Sequence, residues 1–249
     1  MDSYGRPGGY ATTLAVRAAT RTAVWAGVAS TSVAFAVVST FAGNGPPSVG
    51  PFQLIPAVLA AGAGIKAHAV WGAVGRALVG RRSERRVARA IGRCGATAVV
   101  HGALIGAGGD ADHIVLGPSV ALVETKTGGG VVHVDGNGRL VTLHSGPRGA
   151  HRRTIPGDPL GQAKRQADQL SRLARHPAHA VVCIPDMTNA PFRAGLVVVT
   201  SLRDLPKLLA GLPSGLAAPD ARRLAKELHD RHTTEEQRRS AAKVLAGRR

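Results

Sequence analysis

The apolar and polar positions divide the chain into two stretches of different kind. From Thr22 to Ile65 there are 44 residues without a charge. The first run within them, Thr22 to Gly43 ("TAVWAGVASTSVAFAVVSTFAG"), is 22 residues long. As a helix at about 1.5 Å per residue it spans about 33 Å, against a bilayer core near 30 Å. It is rich in Ala, Ser, Thr and Gly. "GNGPPSVGP" after it reads as a turn. A second apolar run, Phe52 to Gly75, contains Pro56 and Lys66. A lysine at the centre of an inserted helix costs roughly 3 kcal/mol, so this crossing is the weaker of the two. Residues 1–80 are therefore predicted to form an apolar helical hairpin, a membrane anchor touching lipid through residues 22–75. A cleaved signal peptide would leave the second run unexplained, and a soluble apolar helical pair is the other alternative.

Beyond Arg81 the period changes. "SERRVARAIGR" has helical spacing, with Glu84, Val87, Ala88 and Ile91 on one face. "ATAVVHGALI" reads as a strand, as do Ile114–Leu116 and Val120–Val123. "GGGVVHVDGNGRLVTLH" alternates about an Asn-Gly turn, the mark of a hairpin. Residues 145–157 read as a polar loop. Asp158 is placed to cap a helix with Pro159 at its first position. Two buried-type strands follow, "AVVCI" and "GLVVVT". The tail reads as two basic amphipathic helices, the second opening at the capping box Thr233-x-x-Glu236. This order predicts an α/β domain over residues 81–205, with residues 206–249 as a helical tail.

Charge refines the picture. The chain carries 32 Lys and Arg against 15 Asp and Glu, a formal net charge of +17. Such a balance favours polyanionic partners, nucleic acid or anionic lipid. Arginine greatly outnumbers lysine, a skew that GC-rich coding also produces, so charge alone does not choose the partner. Aromatics make up 3% of residues, which argues against base-stacking platforms. Arg6, Arg17 and Arg21 precede the apolar segment, Arg76, Arg81, Arg82, Arg85 and Arg86 follow it, and the turn between has none. The positive-inside rule then places both ends, and the α/β domain, in the cytoplasm. Cys94 and Cys183 form no CxxC and are too few for a structural zinc site; they read as buried free thiols of a reducing compartment.

The chemistry concentrates in "ADHIVLGPSVALVETK". Asp112 stands before one apolar run and Glu124 directly after the next. Glu124 and Lys126, two apart, share a face of one strand. Carboxylates at adjacent strand ends can meet on one Mg²⁺ or Mn²⁺, and a lysine beside the ion can orient water or stabilise phosphate charge. The alternative is a salt-bridged strand end. Glu84 sits on an apolar helix face, where a carboxylate needs a reason; a dipole-favouring glutamate is the plainer one. Gln162, Gln166 and Gln169 share one face of the later helix, with Leu160, Ala163, Ala167 and Leu170 on another; a solvated polar face competes with a role for Gln162 at phosphate or water. His113 points away from Asp112 and reads as a core histidine. Gly128 to Gly130 lack a following Lys-Ser/Thr and helix, so they read as the start of the hairpin rather than a phosphate loop.

With Glu84, the motif just quoted and "DPLGQA" containing Gln162, residues 84 to about 200 resemble the NERD (nuclease-related) domain, a branch of the PD-(D/E)XK nuclease superfamily. Asp158 stands where that family usually has Asn, and Thr127 and glycines stand where an aromatic often follows the lysine. The resemblance implies a restriction-endonuclease-like core, a mixed sheet flanked by helices. It implies a metal-dependent nuclease, with DNA the favoured substrate: Asp112 and Glu124 would hold Mg²⁺ or Mn²⁺, with the Thr125 carbonyl as a third ligand. Lys126 would serve water or phosphate, Glu84 would complete the site and Gln162 would place substrate. A non-catalytic nucleic-acid-binding or scaffold module at the membrane is the rival reading.

Overall fold

The computed structural model describes residues 1–5, 7, 9–41, 51–105, 110–146, 149–213 and 215–246. The turn expected at 43–51 lies almost wholly outside the described residues. The chain divides into two compact units, Tyr10–Val79 and a second made of Met1–Gly9 with Gly80–Arg249.

The first unit is helical. It holds nearly all of α1 (Gly9–Phe41) and the first part of α2 (Pro51–Ile91). Among the described residues one helical segment, Val58–Ile91, contains a window long and apolar enough to cross a membrane, by length and composition only. The described part of residues 22–43 lies in α1. The second run does not end at Gly75. Nothing in "GRALVGRRSERR" stops a helix, so α2 continues for 41 residues and joins the segment expected as a separate helix.

The second unit is α/β. Its main sheet contains β1 (Asp2–Tyr4), β2 (Ala98–Leu104), β3 (Asp110–Leu116), β4 (Ala121–Thr125), β8 (His179–Cys183), β10 (Phe192–Ala194) and β11 (Val197–Thr200). The spatial order is β1-β2-β3-β4-β8-β11-β10. β2, β3 and β4 pair antiparallel, while β4, β8 and β11 run parallel, so the sheet is mixed. The parallel step from β4 to β8 is bridged by α3 (Pro159–Ala174). As expected, Asp158 caps α3, accepting from the Gly161 N–H at 2.9 Å, with Pro159 in its first turn.

Both faces of the sheet are covered, which explains why its strands are continuous apolar runs rather than alternating ones. One face carries Val100, Ile114, Leu116, Leu122 and Val182, packed with Ala163, Ala167 and Leu170 of α3 and with Leu224 and Leu228 of α5 (Ala218–Ala246). The other carries Val99, Val115, Val123 and Val181 under Val87, Ala90 and Ile91 of α2 and Leu205 and Leu209 of α4 (Leu205–Ala210). Each fully buried Leu or Ile stabilises by roughly 1.5–3 kcal/mol.

A second, four-stranded sheet has the order β7-β6-β5-β9. It contains β5 (Gly129–Val134), β6 (Leu140–Gly146), β7 (Gly149–Thr154) and β9 (Asp186–Met187). The expected hairpin is β5–β6; in its turn the Asp135 carboxylate accepts from the Asn137 and Arg139 N–H groups. Gly130 is required here, since its φ is +76° and a Cβ would meet the Leu143 carbonyl oxygen at 2.2 Å.

Three further expectations are corrected. The polar loop 145–157 contains β7, whose residues 149–154 are exposed on an edge and so lack the apolar alternation that marks a strand. The last helix does not open at Thr233: α5 begins at Ala218, and the Thr233 and Thr234 hydroxyls bond back to the His229 and Asp230 carbonyls inside it. The N-terminus, read as anchor, supplies a strand. β1 lies parallel to β2, Asp2 pairs with Arg222 at 3.0 Å, and Tyr4 packs on the core beside His229.

Candidate functional site

The β3–β4 ladder ends with His113 opposite Val123. One step further, Asp112 and Glu124 face each other across the two strands, on the same side as Ile114 and Leu122. Here a side chain takes over from the backbone ladder: Asp112 Oδ2 accepts from the Thr125 N–H at 2.7 Å. The other edge of β4 stays paired, with Lys126 N–H donating to the Cys183 carbonyl at 3.0 Å. The ends of β3, β4 and β8 thus fix the two carboxylates to rigid backbone.

Lys126 returns onto the same face, as its two-residue spacing from Glu124 requires. Its Nζ lies 2.6 Å from Glu124 Oε1 and 3.4 Å from Gln162 Oε1, in the first turns of α3. The Glu124 side chain is 2% exposed, yet its second oxygen, Oε2, has no hydrogen-bond partner. A buried carboxylate oxygen left bare is costly, and it is the feature that fits a cation in this place.

Electrostatics follow from this crowding. Burial, then the charges of Glu124 and Glu84, hold the Asp112 carboxyl well above the usual carboxylate range, and Thr125 N–H and Lys126 only partly offset them. Burial also raises Glu124, against the Lys126 charge. Glu84, in α2, is thus close enough for its charge to act on Asp112. The structure brings together Asp112, Glu124, Lys126 and Gln162, with Glu84 at the edge of the group and Thr125 between the carboxylates. Among the described residues no three His, Cys, Asp or Glu side chains are grouped to hold a metal ion. Two facing carboxylates beside backbone oxygens are a donor combination that suits Mg²⁺.

Two supporting features were hidden in the sequence. Gln166, on the face for which solvation was one of two readings, is fully buried; its Nε2 donates to the Asp110 carbonyl at 3.2 Å and its Oε1 has no hydrogen-bond partner. It ties α3 to the start of β3, two residues before Asp112, and its spacing of four from Gln162 was the available signal. Arg86, two residues beyond Glu84, makes a two-pronged bond to Asp186 at 2.8 and 3.2 Å, bracing α2 against β9; separated by 100 positions, the pair left no local signal.

His113 lies on the opposite face from Asp112, as expected for a core histidine. Its Nδ1 is 2.8 Å from His101 Nδ1 on β2, and the rings meet edge to face at 5.0 Å. One ring must donate and the other accept, so the two cannot both be protonated. Burial pushes His101 down to about 4, and burial with the His101 charge lowers His113.

No match to the chain was found among curated proteins or among solved structures. A family model does match, that of the nuclease-related domain, over residues 79–185, a span that contains Glu84, Asp112, Glu124, Lys126 and Gln162. Residues 79–185 of this chain thus match the NERD, or nuclease-related, domain, consistent with the PD-(D/E)XK nuclease-like superfamily.

Proposed function

We propose that the chain is a membrane-tethered, metal-dependent nuclease that hydrolyses phosphodiester bonds, with DNA as its substrate. The observation that carries this reading is the bare, buried Oε2 of Glu124, placed opposite Asp112 with Lys126 on the other oxygen. Asp112 and Glu124 would hold Mg²⁺ or Mn²⁺, together with the Thr125 carbonyl. When bound, such an ion supplies Lewis acidity toward phosphate and a lowered pKa for water.

The chain's own residues do the remaining work. Lys126 is held against Glu124 and Gln162, where its ammonium faces a phosphoryl oxygen or the attacking water and offsets charge that grows in the transition state. Gln162 fixes Lys126 through its Oε1 and leaves its amide N–H₂ toward the Glu124 side of the site. Thr125 N–H fixes Asp112, and Gln166 holds the strand that carries it. Glu84 adds negative charge beside Asp112, which strengthens the site's demand for a cation.

The membrane part rests on separate support: an apolar stretch at 58–91, exposed Trp71, Ile65 and Val58, and the flanking arginines. The chain leaves the α/β unit at Gly9 and rejoins it at Gly80. An excursion that begins and ends on one body crosses a membrane an even number of times, which favours a hairpin and a cytoplasmic nuclease domain. Cysteine labelling from outside intact cells tests this. A cysteine at Ser48 reacts and one at Ser240 does not; labelling at Ser240 overturns the topology.

One observation favours a second reading. With only two carboxylates grouped, the Glu124–Lys126 pair also fits an idle site in a nucleic-acid-binding module. A cleavage assay on the full chain with Mg²⁺ or Mn²⁺, beside Lys126→Ala, separates the two: the idle module binds nucleic acid and cuts nothing.

A further inference from the structure

Three strands of the four-stranded sheet, β5, β6 and β7, form an insert in the site itself. It leaves the chain after Lys126 and returns at Asp158, four residues before Gln162. Because Lys126 Nζ and Gln162 Oε1 are 3.4 Å apart, both stems of the insert stand at the site's rim. Residues 127–157 contain Arg139, Arg148, Arg152 and Arg153 with three histidines, against a single acid, Asp135. That acid is consumed within the arm, where its carboxylate accepts from the turn N–H groups and from Arg152 at 3.1 Å.

The register sorts the cations onto two faces. Arg152 stands opposite Leu143, and Leu143 opposite Val131, on one face. Arg153 stands opposite Thr142, and His151 opposite His144, on the other. All of β7 is exposed, and it forms the outer edge of its sheet. No Phe, Tyr or Trp occurs in 127–157, so the arm lacks the large aromatic platforms on which unstacked bases lie. An antiparallel ribbon with cations on both faces matches a groove walled by phosphates on two sides, and the major groove of a duplex admits such a ribbon.

From this we infer that the β5–β6–β7 arm is the nucleic-acid-holding element of the protein: it lies in a groove of duplex DNA, contacts phosphates through Arg139, Arg152 and Arg153, and sets the strand that runs past Lys126. This rests on the nuclease reading for the site at its base. Charged residues on an edge strand also serve to prevent edge-to-edge aggregation, and the test separates the two roles.

The experiment measures binding of the full chain to a 25-base-pair DNA duplex and to a single strand of equal length. It is run in EDTA at several salt concentrations, for wild type, Arg139→Gln/Arg152→Gln/Arg153→Gln and the matching triple lysine variant. Each phosphate contact contributes about 0.9 to the slope of log affinity against log salt. The triple glutamine variant should therefore lose about 2 to 3 from that slope and bind the duplex at least tenfold more weakly at low salt. The lysine variant should keep the wild-type slope, which a variant that merely fails to fold does not mimic. Unchanged duplex binding by a folded glutamine variant overturns the assignment, as does tighter wild-type binding to the single strand. A glutamine variant that aggregates while its soluble fraction binds normally assigns the charges to edge protection and also overturns it. Cleavage with Mn²⁺ is scored separately: a wild type that binds through the arm but does not cut fails the nuclease reading and leaves the arm in place.

Discussion

The Lys126 ammonium lies 2.6 Å from one oxygen of Glu124 and leaves the other oxygen, buried, with no protein partner. A strand that needed only an ion pair at its end would not need Asp112 opposite, nor a carboxylate this deep. The arrangement is short of positive charge: burial raises both Asp112 and Glu124, neighbouring acids raise Asp112 further, and one lysine offsets them.

Removing one of these charges should stabilise the metal-free protein. Asp112→Asn keeps an oxygen to accept from Thr125 N–H and deletes the repulsion. Each pKa unit of upward shift corresponds to about 1.4 kcal/mol, and 1 kcal/mol moves the melting temperature of a protein this size by about 2–4 °C. Thermal unfolding in EDTA should show a rise of a few degrees. A folded state with raised carboxyl pKa values is most stable below the unfolded value near 4 and loses that stability as pH rises through the folded one. A melting temperature that drops on Asp112→Asn would mean that the carboxylate is satisfied without a cation.

Divalent metal should reverse the order. Mn²⁺ or Mg²⁺ binding only the folded state raises its melting temperature with concentration. The wild type should respond at neutral pH, and Asp112→Asn and Glu124→Gln should respond much less. Equal shifts in all three proteins would place the ion elsewhere.

The two buried histidines give a separate pH effect of opposite sign. His101 titrates near 6.5 when unfolded and at about 4 when folded. The unfolded chain therefore takes up a proton first, and stability falls as pH drops from about 6.5 toward 4, by up to about 3 kcal/mol from this residue. Because the carboxylates act oppositely in the same range, the measurement is a difference. The melting temperature of wild type minus that of His101→Leu/His113→Leu should decline between pH 6.5 and 4. A flat difference would show that the pair is not neutral in the folded state.

Much of this architecture was legible because local rules and tertiary structure agree. Asp158 before Pro159 marks the start of α3, and the alternation around Asn137-Gly138 marks the β5–β6 hairpin. The cluster of Asp112, Glu124 and Lys126 was readable from strand-end placement and a two-residue period. What was missed lacked a local signal. β7 is an edge strand with no apolar face, so "GAHRRT" looks like a loop. β1 owes its place to partners nearly a hundred residues away, Thr97 and His101 among them. Gln166 looked like a solvated residue because amide side chains read the same whether they meet water or the Asp110 carbonyl. α2 gave the reverse error: a composition boundary near residue 80 is not a helix boundary.

The β1 assignment has its own test. Gly5 has φ +77°, and a Cβ there would meet the His101 carbonyl oxygen at 2.2 Å. Gly5→Val should destabilise the α/β unit by about 2 kcal/mol or more, read as a lower melting temperature. An unchanged value would show that the first residues are not part of the sheet.

Gln166 separates positioning from binding. Gln166→Leu removes the tie to Asp110 without touching the arm. It should lower the cleavage rate at saturating DNA about tenfold or more while duplex affinity in EDTA stays within about twofold. Parallel loss of both would make it a fold residue only.

The central claim is that Asp112, Glu124 and Lys126 form a metal-dependent phosphodiester-cleaving centre. The most direct measurement is cleavage of a labelled DNA duplex by the purified full chain, with and without Mn²⁺, for wild type, Glu124→Gln and Lys126→Ala prepared identically. Wild type should cleave only with the metal present, and each variant should lose at least a hundredfold while its fold is retained. Metal-dependent cleavage of equal rate in wild type and Lys126→Ala, or none in any preparation that binds DNA, would contradict it.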